Sequence, residues 1–241
     1  MSMDKMMKVF SPDGRIYQME YAFKAIQQAG MTSIALRGKD SVVVCCQRKV
    51  PDKLIVPESV TNIFNISDSC GAIVVGNMND ARYIITWLRQ QAAEHKYKFS
   101  YEAPIHVIAK RLGGYLQKYS QYAGIRPFCV NITLVGCDEE FGPQCFRIDP
   151  SGQAIGFKAV STGSKEQEAM SHLEKQFKKN EGDWDNRATV ETAISVLQSV
   201  TSSDFKANEI EVGYCNVEQP RFRKLTESEI ENVLNDLADK Q

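Results

Sequence analysis

Between residues 16 and 28, Ile16, Met19, Phe23 and Ile26 recur at the spacing of one helical face, and Gly30 stops the pattern. Two apolar runs follow at 33–36 and 42–46 around Gly38-Lys39-Asp40, which predicts a hairpin. Short strands are expected near 63–66 and 72–75. Ala81, Ile84, Ile85 and Leu88 predict a helix over 79–97. Ile105, Ile108, Leu112, Leu116 and Tyr119 predict another after Pro104. Gly113-Gly114 lies inside that helix, where each glycine costs about 1 kcal/mol. Close approach of a neighbouring backbone is the expected return. Gly124 and Arg126-Pro127 end it.

Val130, Ile132 and Leu134 alternate with Asn131 and Thr133, which predicts a strand with one wetter face. Runs at 144–148 and 154–160 flank the turn Asp149-Pro150-Ser151-Gly152. Helices over about 165–178 and 187–200, a strand at 210–217 and a last helix from Thr226 complete the pattern. Thr226-Glu227-Ser228-Glu229 is a capping box. Strands come in runs and helices in pairs. This excludes a strictly alternating βαβ plan and predicts packed sheets with helices outside. No linker or repeat interrupts the pattern, so one domain over 1–241 is expected.

Composition narrows the function classes. Hydrophobic residues are 43%, charged residues 24% and the net charge is −1, as in an average globular domain. No basic excess points to nucleic acid, and no apolar run approaches the length of a membrane span. Lys5 and Lys8, with Asp4, stand where a signal peptide needs apolar residues. The seven cysteines are an odd number without a Cys-x-x-Cys pair, which suits reduced thiols in cytoplasm or nucleus.

Candidate chemistry is sparse. His95, His106 and His172 have no second ligand at metal spacing, so no metal or cofactor is expected. Cys45 and Cys46 fall on opposite strand faces and suit core packing. Gly163-Ser164-Lys165 lacks the first half of a phosphate loop and reads as a plain cap. The charges from Glu174 to Glu181 are mixed and read as a solvated face. The tyrosines and phenylalanine among 97–122 suit core or subunit contacts, since no positive charge surrounds them.

The segment Phe10-Ser11-Pro12-Asp13-Gly14-Arg15-Ile16-Tyr17-Gln18-Met19-Glu20-Tyr21-Ala22 resembles the N-terminal signature of proteasome alpha subunits. The resemblance continues through Gly38-Lys39-Asp40, Asn79-Asp80-Ala81-Arg82, Tyr122-Ala123-Gly124-Ile125-Arg126-Pro127-Phe128, Asp149-Pro150-Ser151-Gly152 and Glu209-Ile210-Glu211-Val212-Gly213. Within the family, Ala22-Phe23-Lys24-Ala25-Ile26, Val50-Pro51-Asp52-Lys53-Leu54, Asp204-Phe205-Lys206 and Phe222-Arg223-Lys224-Leu225-Thr226-Glu227 are most similar to the alpha type-6 branch, which holds the first ring position.

The resemblance implies an α+β fold: a four-layer αββα sandwich of two antiparallel sheets, the N-terminal-nucleophile hydrolase architecture. Catalytic relatives of that fold attack with an N-terminal threonine. By counting from the strands, the nucleophile's place falls at Met31, the acidic partner's at Gln47 and the activating lysine's at Ile63. Thr32 is one residue off and has no free amine. The implied function is a non-catalytic structural subunit of the 20S core, in the outer heteroheptameric alpha ring that gates substrate entry and docks regulators. It would support ubiquitin-dependent degradation by the beta subunits. An active amide hydrolase of the same fold is the alternative.

Implied partners are six other alpha subunits, beta subunits and regulatory ATPase or activator complexes. Residues 1–9 would be a pore-facing tail, and 10–28 the signature turn and helix. Asp4, Pro12 and Tyr21 match the family gate cluster, while Met3 and Lys5 stand where it has tyrosine and arginine. A pocket for the C-terminal carboxylate of an activator would involve Gly30 and Asn62, with Asn62 in place of the pocket lysine. Phe23, Tyr122, Arg126 and Phe128 are the expected subunit contacts.

Overall fold

The first helix, α1 (Tyr17–Gln27), enters from a turn in which the Ser11 N–H donates to the Arg15 carbonyl at 2.8 Å. It buries Met19, Ala22 and Ile26. Phe23, expected on that face, stands on its exposed flank instead. The computed structural model describes residues 10–122 and 124–239. The expected pore-facing tail, 1–9, and Asp4 within it lie outside the described residues.

The hairpin is present as β1 (Thr32–Arg37) and β2 (Ser41–Gln47), with Ser33 opposite Cys46 and Arg37 opposite Val42. The chain then builds a second sheet with β3 (Ile63–Asn65) and β4 (Cys70–Gly76). Two long helices follow. Asn77 caps α2 (Met78–Phe99), its side chain accepting the Asn79 and Asp80 N–H groups. Next comes α3 (Ile105–Gln121). Gly113 gives the close approach expected of it, since a Cβ there would lie 2.6 Å from the Gly152 carbonyl oxygen. Gly114 meets nothing within 4 Å, so the same expectation fails one residue later.

β5 (Val130–Asp138) and β6 (Gly142–Ile148) extend the second sheet. The apolar stretch expected as one strand over 154–160 divides in two. β7 (Ala154–Gly156) closes the second sheet beside β6, and β8 (Ala159–Gly163) joins the first beside β1. Helices α4 (Glu166–Asn180) and α5 (Asn186–Thr201) lead to β9 (Ile210–Asn216) and the short β10 (Arg223–Lys224). The capping box then starts α6 (Glu227–Asp239): Thr226 N–H donates to Glu229 at 2.8 Å, and Glu229 N–H to the Thr226 hydroxyl at 3.3 Å.

The sheet orders are β10-β9-β2-β1-β8 and β3-β4-β5-β6-β7, with every pairing antiparallel. Three apolar clusters separate four layers. Val44, Val42, Ile73 and Val135 meet between the sheets. Ile132, Leu134, Ile84 and Leu112 meet under α2 and α3, while Leu36, Val43, Ile194 and Leu197 meet under α4 and α5. Cys45 and Cys46 fall in different clusters, as their alternation requires. The wetter face expected of β5 is not wet. Asn131 and Thr133 are buried because both faces of this sheet are covered.

Candidate functional site

In this fold the chemically decisive place is the start of β1. Helix α1 ends just ahead of it and packs on β4 and β5. Its Ile26 joins Met31 and Ile63 in the apolar layer between the sheets. Gly30, at φ +67°, turns the chain from helix to strand. On the facing strand Gly163 pairs with Thr32, and a Cβ at Gly163 would collide with the Met31 carbonyl oxygen. Only glycine lets the two backbones meet this closely at a φ of +124°. The Ser164 N–H then donates to the Met31 carbonyl at 3.1 Å.

The three expected reactive places carry no reactive group. Met31 and Ile63 are buried thioether and hydrocarbon, and Gln47 is a half-buried amide at the end of β2, opposite Ile210. Thr32 is 1% exposed. Its hydroxyl contacts the Ser164 hydroxyl at 3.3 Å and accepts the Lys165 N–H at 3.3 Å. The Thr32 nitrogen is a peptide nitrogen joined to Met31 and cannot act as a base. The nearby Lys165 ammonium is engaged elsewhere, donating to the Val200 carbonyl at 2.6 Å.

A charged network lies beside this apolar end, and sequence reasoning missed it. Glu211, on β9, is buried between Arg48 at 3.2 Å and Lys224 at 3.3 Å. It also accepts the Thr61 hydroxyl at 3.2 Å and the Asn62 N–H at 2.9 Å, and Lys224 bonds Thr61 as well. Two cations and two neutral donors thus offset the desolvation of one carboxylate. The signal available in the sequence was an acid flanked by Ile210 and Val212 inside an apolar strand.

Of the expected pocket residues, Asn62 is therefore held by its backbone, its carbonyl accepting Val74 N–H at 3.0 Å. Gly30 offers its carbonyl to the Lys49 ammonium at 2.6 Å. Lys49 was not anticipated. Of the expected gate residues, Pro12 lies in the exposed signature turn and Tyr21 projects from α1, its ring stacked 6.4 Å from Tyr17.

The expected contact residues divide. Phe23 and Tyr122 are exposed. Phe128 instead packs internally, 4.6 Å from the Tyr119 ring and 5.8 Å from that of Tyr83. Arg126 clamps Asp80 with two 2.7 Å bonds, and the Cys129 N–H adds a third at 3.0 Å. The Arg126 bonds hold the Asp80 carboxyl below the usual range; burial opposes them and the Cys129 N–H assists. Among the described residues no cluster of three or more His, Cys, Asp or Glu is arranged to hold a metal ion. No described helix is long and apolar enough to cross a membrane.

Two antiparallel sheets between helical layers, with the first inner strand opening at the end of the sandwich, define the N-terminal-nucleophile hydrolase type, and here that end is filled by α1. Family models narrow the class further. The model of the proteasome subunit matches residues 27–215, and that of the N-terminal signature of A-type proteasome subunits matches 4–25. The chain belongs to the proteasome alpha-subunit family. It is 44% identical to the probable proteasome subunit alpha type-1 of Schizosaccharomyces pombe, over 98% of this chain and 97% of that one. It is 37% identical to proteasome subunit alpha type-6 of Caenorhabditis elegans, over 98% and 96%. It is 34% identical to a proteasome alpha subunit of Pyrococcus horikoshii, over 97% and 87%.

Proposed function

We propose that this chain is a catalytically inert wall of the 20S core, one of seven different alpha subunits in the ring that gates entry to the beta chambers. The observation that carries the inert reading is the buried apolar pair Met31 and Ile63 at the nucleophile and lysine places, with Thr32 inside the chain. The isolated chain should cleave no fluorogenic peptide. Steady cleavage abolished by Thr32→Ala would establish the alternative, an active amide hydrolase.

Ring membership at the first position, in the alpha type-6 branch, is supported by the residues shared with that branch. Alpha type-1 and type-6 both appear among the names of its relatives. The exposed side chains of Tyr17, Tyr21, Phe23 and Tyr122 supply apolar area for contact with neighbouring alpha subunits. Native mass spectrometry of the purified endogenous particle, with subunit identification, tests this membership. Recovery of the chain at its own mass alone would overturn it.

The remaining assignments belong to the same reading. Residues 1–241 act as one domain in cytoplasm and nucleus. Pro12 and Tyr21, with Asp4, contribute to the gate, and Gly30 and Asn62 to a regulator-docking pocket. Asn62 offers a neutral amide to an incoming carboxylate, so the pocket wall is weak in charge.

A further inference from the structure

Lys49 carries a charge that no acid of this chain answers. Carried past Gln47, the antiparallel register of β1 and β2, Ser33 opposite Cys46, sets Lys49 beside Gly30. Its exposed ammonium donates to the Gly30 carbonyl at 2.6 Å. Among the described residues that neutral oxygen is its one acceptor, and it enters no ion pair. The cations of the Glu211 network, by contrast, are engaged. Arg48 and Lys224 hold Glu211 at 3.2 and 3.3 Å, and Arg48 also faces Glu227 at 3.9 Å. Those two cations and two carboxylates cancel, so nothing in the network offsets Lys49.

The space beside this ammonium is open. A Cβ at Gly30 would meet nothing within 4 Å, and the backbone there, at φ +67°, favours glycine over any residue with a side chain. The Gly30 backbone and the Lys49 ammonium are therefore both within reach of an incoming group. The loop that leads from Lys49 to Asn62 holds two apolar side chains in solvent, Leu54 at 93% exposure and Val56 at 63%. A peptide's C-terminus brings the complementary pair: one carboxylate and apolar side chains just before it.

We propose that Lys49 is the cation that recognises the terminal carboxylate of a regulator's C-terminal segment in the docking pocket of this chain. The inference rests on the pocket reading given above for Gly30 and Asn62. It places the pocket's charge on the Gly30 side, where the neutral amide of Asn62 supplies none. An ammonium has three N–H donors, so Lys49 keeps its bond to the Gly30 carbonyl while a second N–H turns to the carboxylate. The ionised acceptor makes this bond stronger than the one to the carbonyl. Solvent limits the gain, because both partners stay exposed, and loss of the charge should weaken binding about two- to fivefold. Salt should weaken binding as well.

The test uses assembled particles that contain this chain. The probe is a short synthetic peptide copying the C-terminus of a regulatory ATPase, prepared as the free acid and as the amide. The peptide carries a diazirine, and its cross-links to this chain are mapped and quantified by mass spectrometry across a salt series. The expected result is cross-linking within residues 30–62, stronger for the acid than for the amide, with the difference shrinking at high salt. Lys49→Gln should lower the yield for the acid about two- to fivefold and leave that for the amide unchanged, while Lys49→Arg should keep the preference for the acid. Equal yields for acid and amide in the parent, or a Lys49→Gln chain that still prefers the acid as the parent does, would overturn the role of Lys49 and leave the pocket standing. Absence of cross-links to residues 30–62 in the parent would remove the pocket and this inference together. If a variant fails to enter the particle, the parent's acid-to-amide ratio and its salt dependence decide.

Discussion

Replacing Asp80 with Asn removes a charge while keeping the side chain's shape, and the clamp on residues 126–129 should fail in a measurable way. Asp80 accepts both terminal nitrogens of Arg126 and the Cys129 N–H. An Asn has one carbonyl oxygen for those three donors and turns its own NH₂ toward the guanidinium. The Asp80 side chain is 8% exposed and that of Arg126 63%, so solvent screens the pair from one side only. Exposed pairs contribute about 0–1 kcal/mol, and severing a buried one costs about 3–5 kcal/mol. A loss of about 2 kcal/mol is therefore expected for Asp80→Asn, or a fall of about 4–8 °C in Tm for a chain of this size. Acid supplies a second axis. The folded state lowers the Asp80 pKa, so the carboxylate stabilises the fold above its unfolded value of about 3.9. That contribution disappears as pH falls through the lower folded value. Urea denaturation followed by the fluorescence of Trp87 and Trp184 should show a constant gap between parent and variant from pH 7 to about 5, closing below about 4. A gap under about 0.5 kcal/mol at pH 7, or one that stays open through the acid range, would refute the reasoning.

The paired glycines of α3 should respond in opposite directions. Gly114→Ala should stabilise by up to about 1 kcal/mol, whereas Gly113→Ala should cost about 1–3 kcal/mol against the Gly152 carbonyl; equal shifts in urea midpoint would rule this out. Glu211→Ala strands Arg48 and Lys224 and should cost about 3–5 kcal/mol in the same assay. Glu211→Gln keeps an acceptor and should lose less; if the two variants match, the carboxylate charge is not what holds the cations. Asn62→Lys should strengthen peptide-stimulated gate opening in assembled particles, more at low salt than at high salt, and an unchanged dose response at low salt would exclude Asn62 from the pocket.

The helices and most strands were legible because their periods are clean, as in α2 and α5. What escaped was decided by layers rather than by local pattern. The stretch from Ala154 to Val160 is apolar throughout, and nothing in its spacing says that the chain leaves one sheet after Gly156 and joins the other at Ala159. Asn131 and Thr133 looked wet because alternation implies one solvated face, yet a sheet inside a four-layer sandwich has none. Phe23 shares a helical period with Met19 and Ile26, but the buried stripe runs through Ala22, a smaller residue that lets α1 sit close.

At the site, Met31, Gln47 and Ile63 are the expected reactive places by counting along strands, and their side chains are a thioether, an amide and a hydrocarbon. Arg126 and Phe128, expected as subunit contacts, also hold partners within the chain that local pattern does not show: Asp80 is 46 residues upstream of the arginine. Glu211 was invisible for the same reason, since Arg48, Thr61, Asn62 and Lys224 reach it from elsewhere in the chain.

The arrangement of the first sheet also governs how the chain can be made. The hairpin of β1 and β2 occupies its middle, yet its flanking strands are β8 and β9, from the last third of the chain. During synthesis from the N-terminus, both edges of that hairpin stand open until residues 159–216 have left the ribosome. The β2 edge, Ser41 to Gln47, is Ser-Val-Val-Val-Cys-Cys-Gln, a sequence well suited to pairing with another nascent chain. A truncation after α5 would keep much of the helical packing but leave that edge permanently unpaired. Solubility of this protein is therefore set late, by strand β9, and a stalled or shortened product is a seed for aggregation rather than a smaller working part.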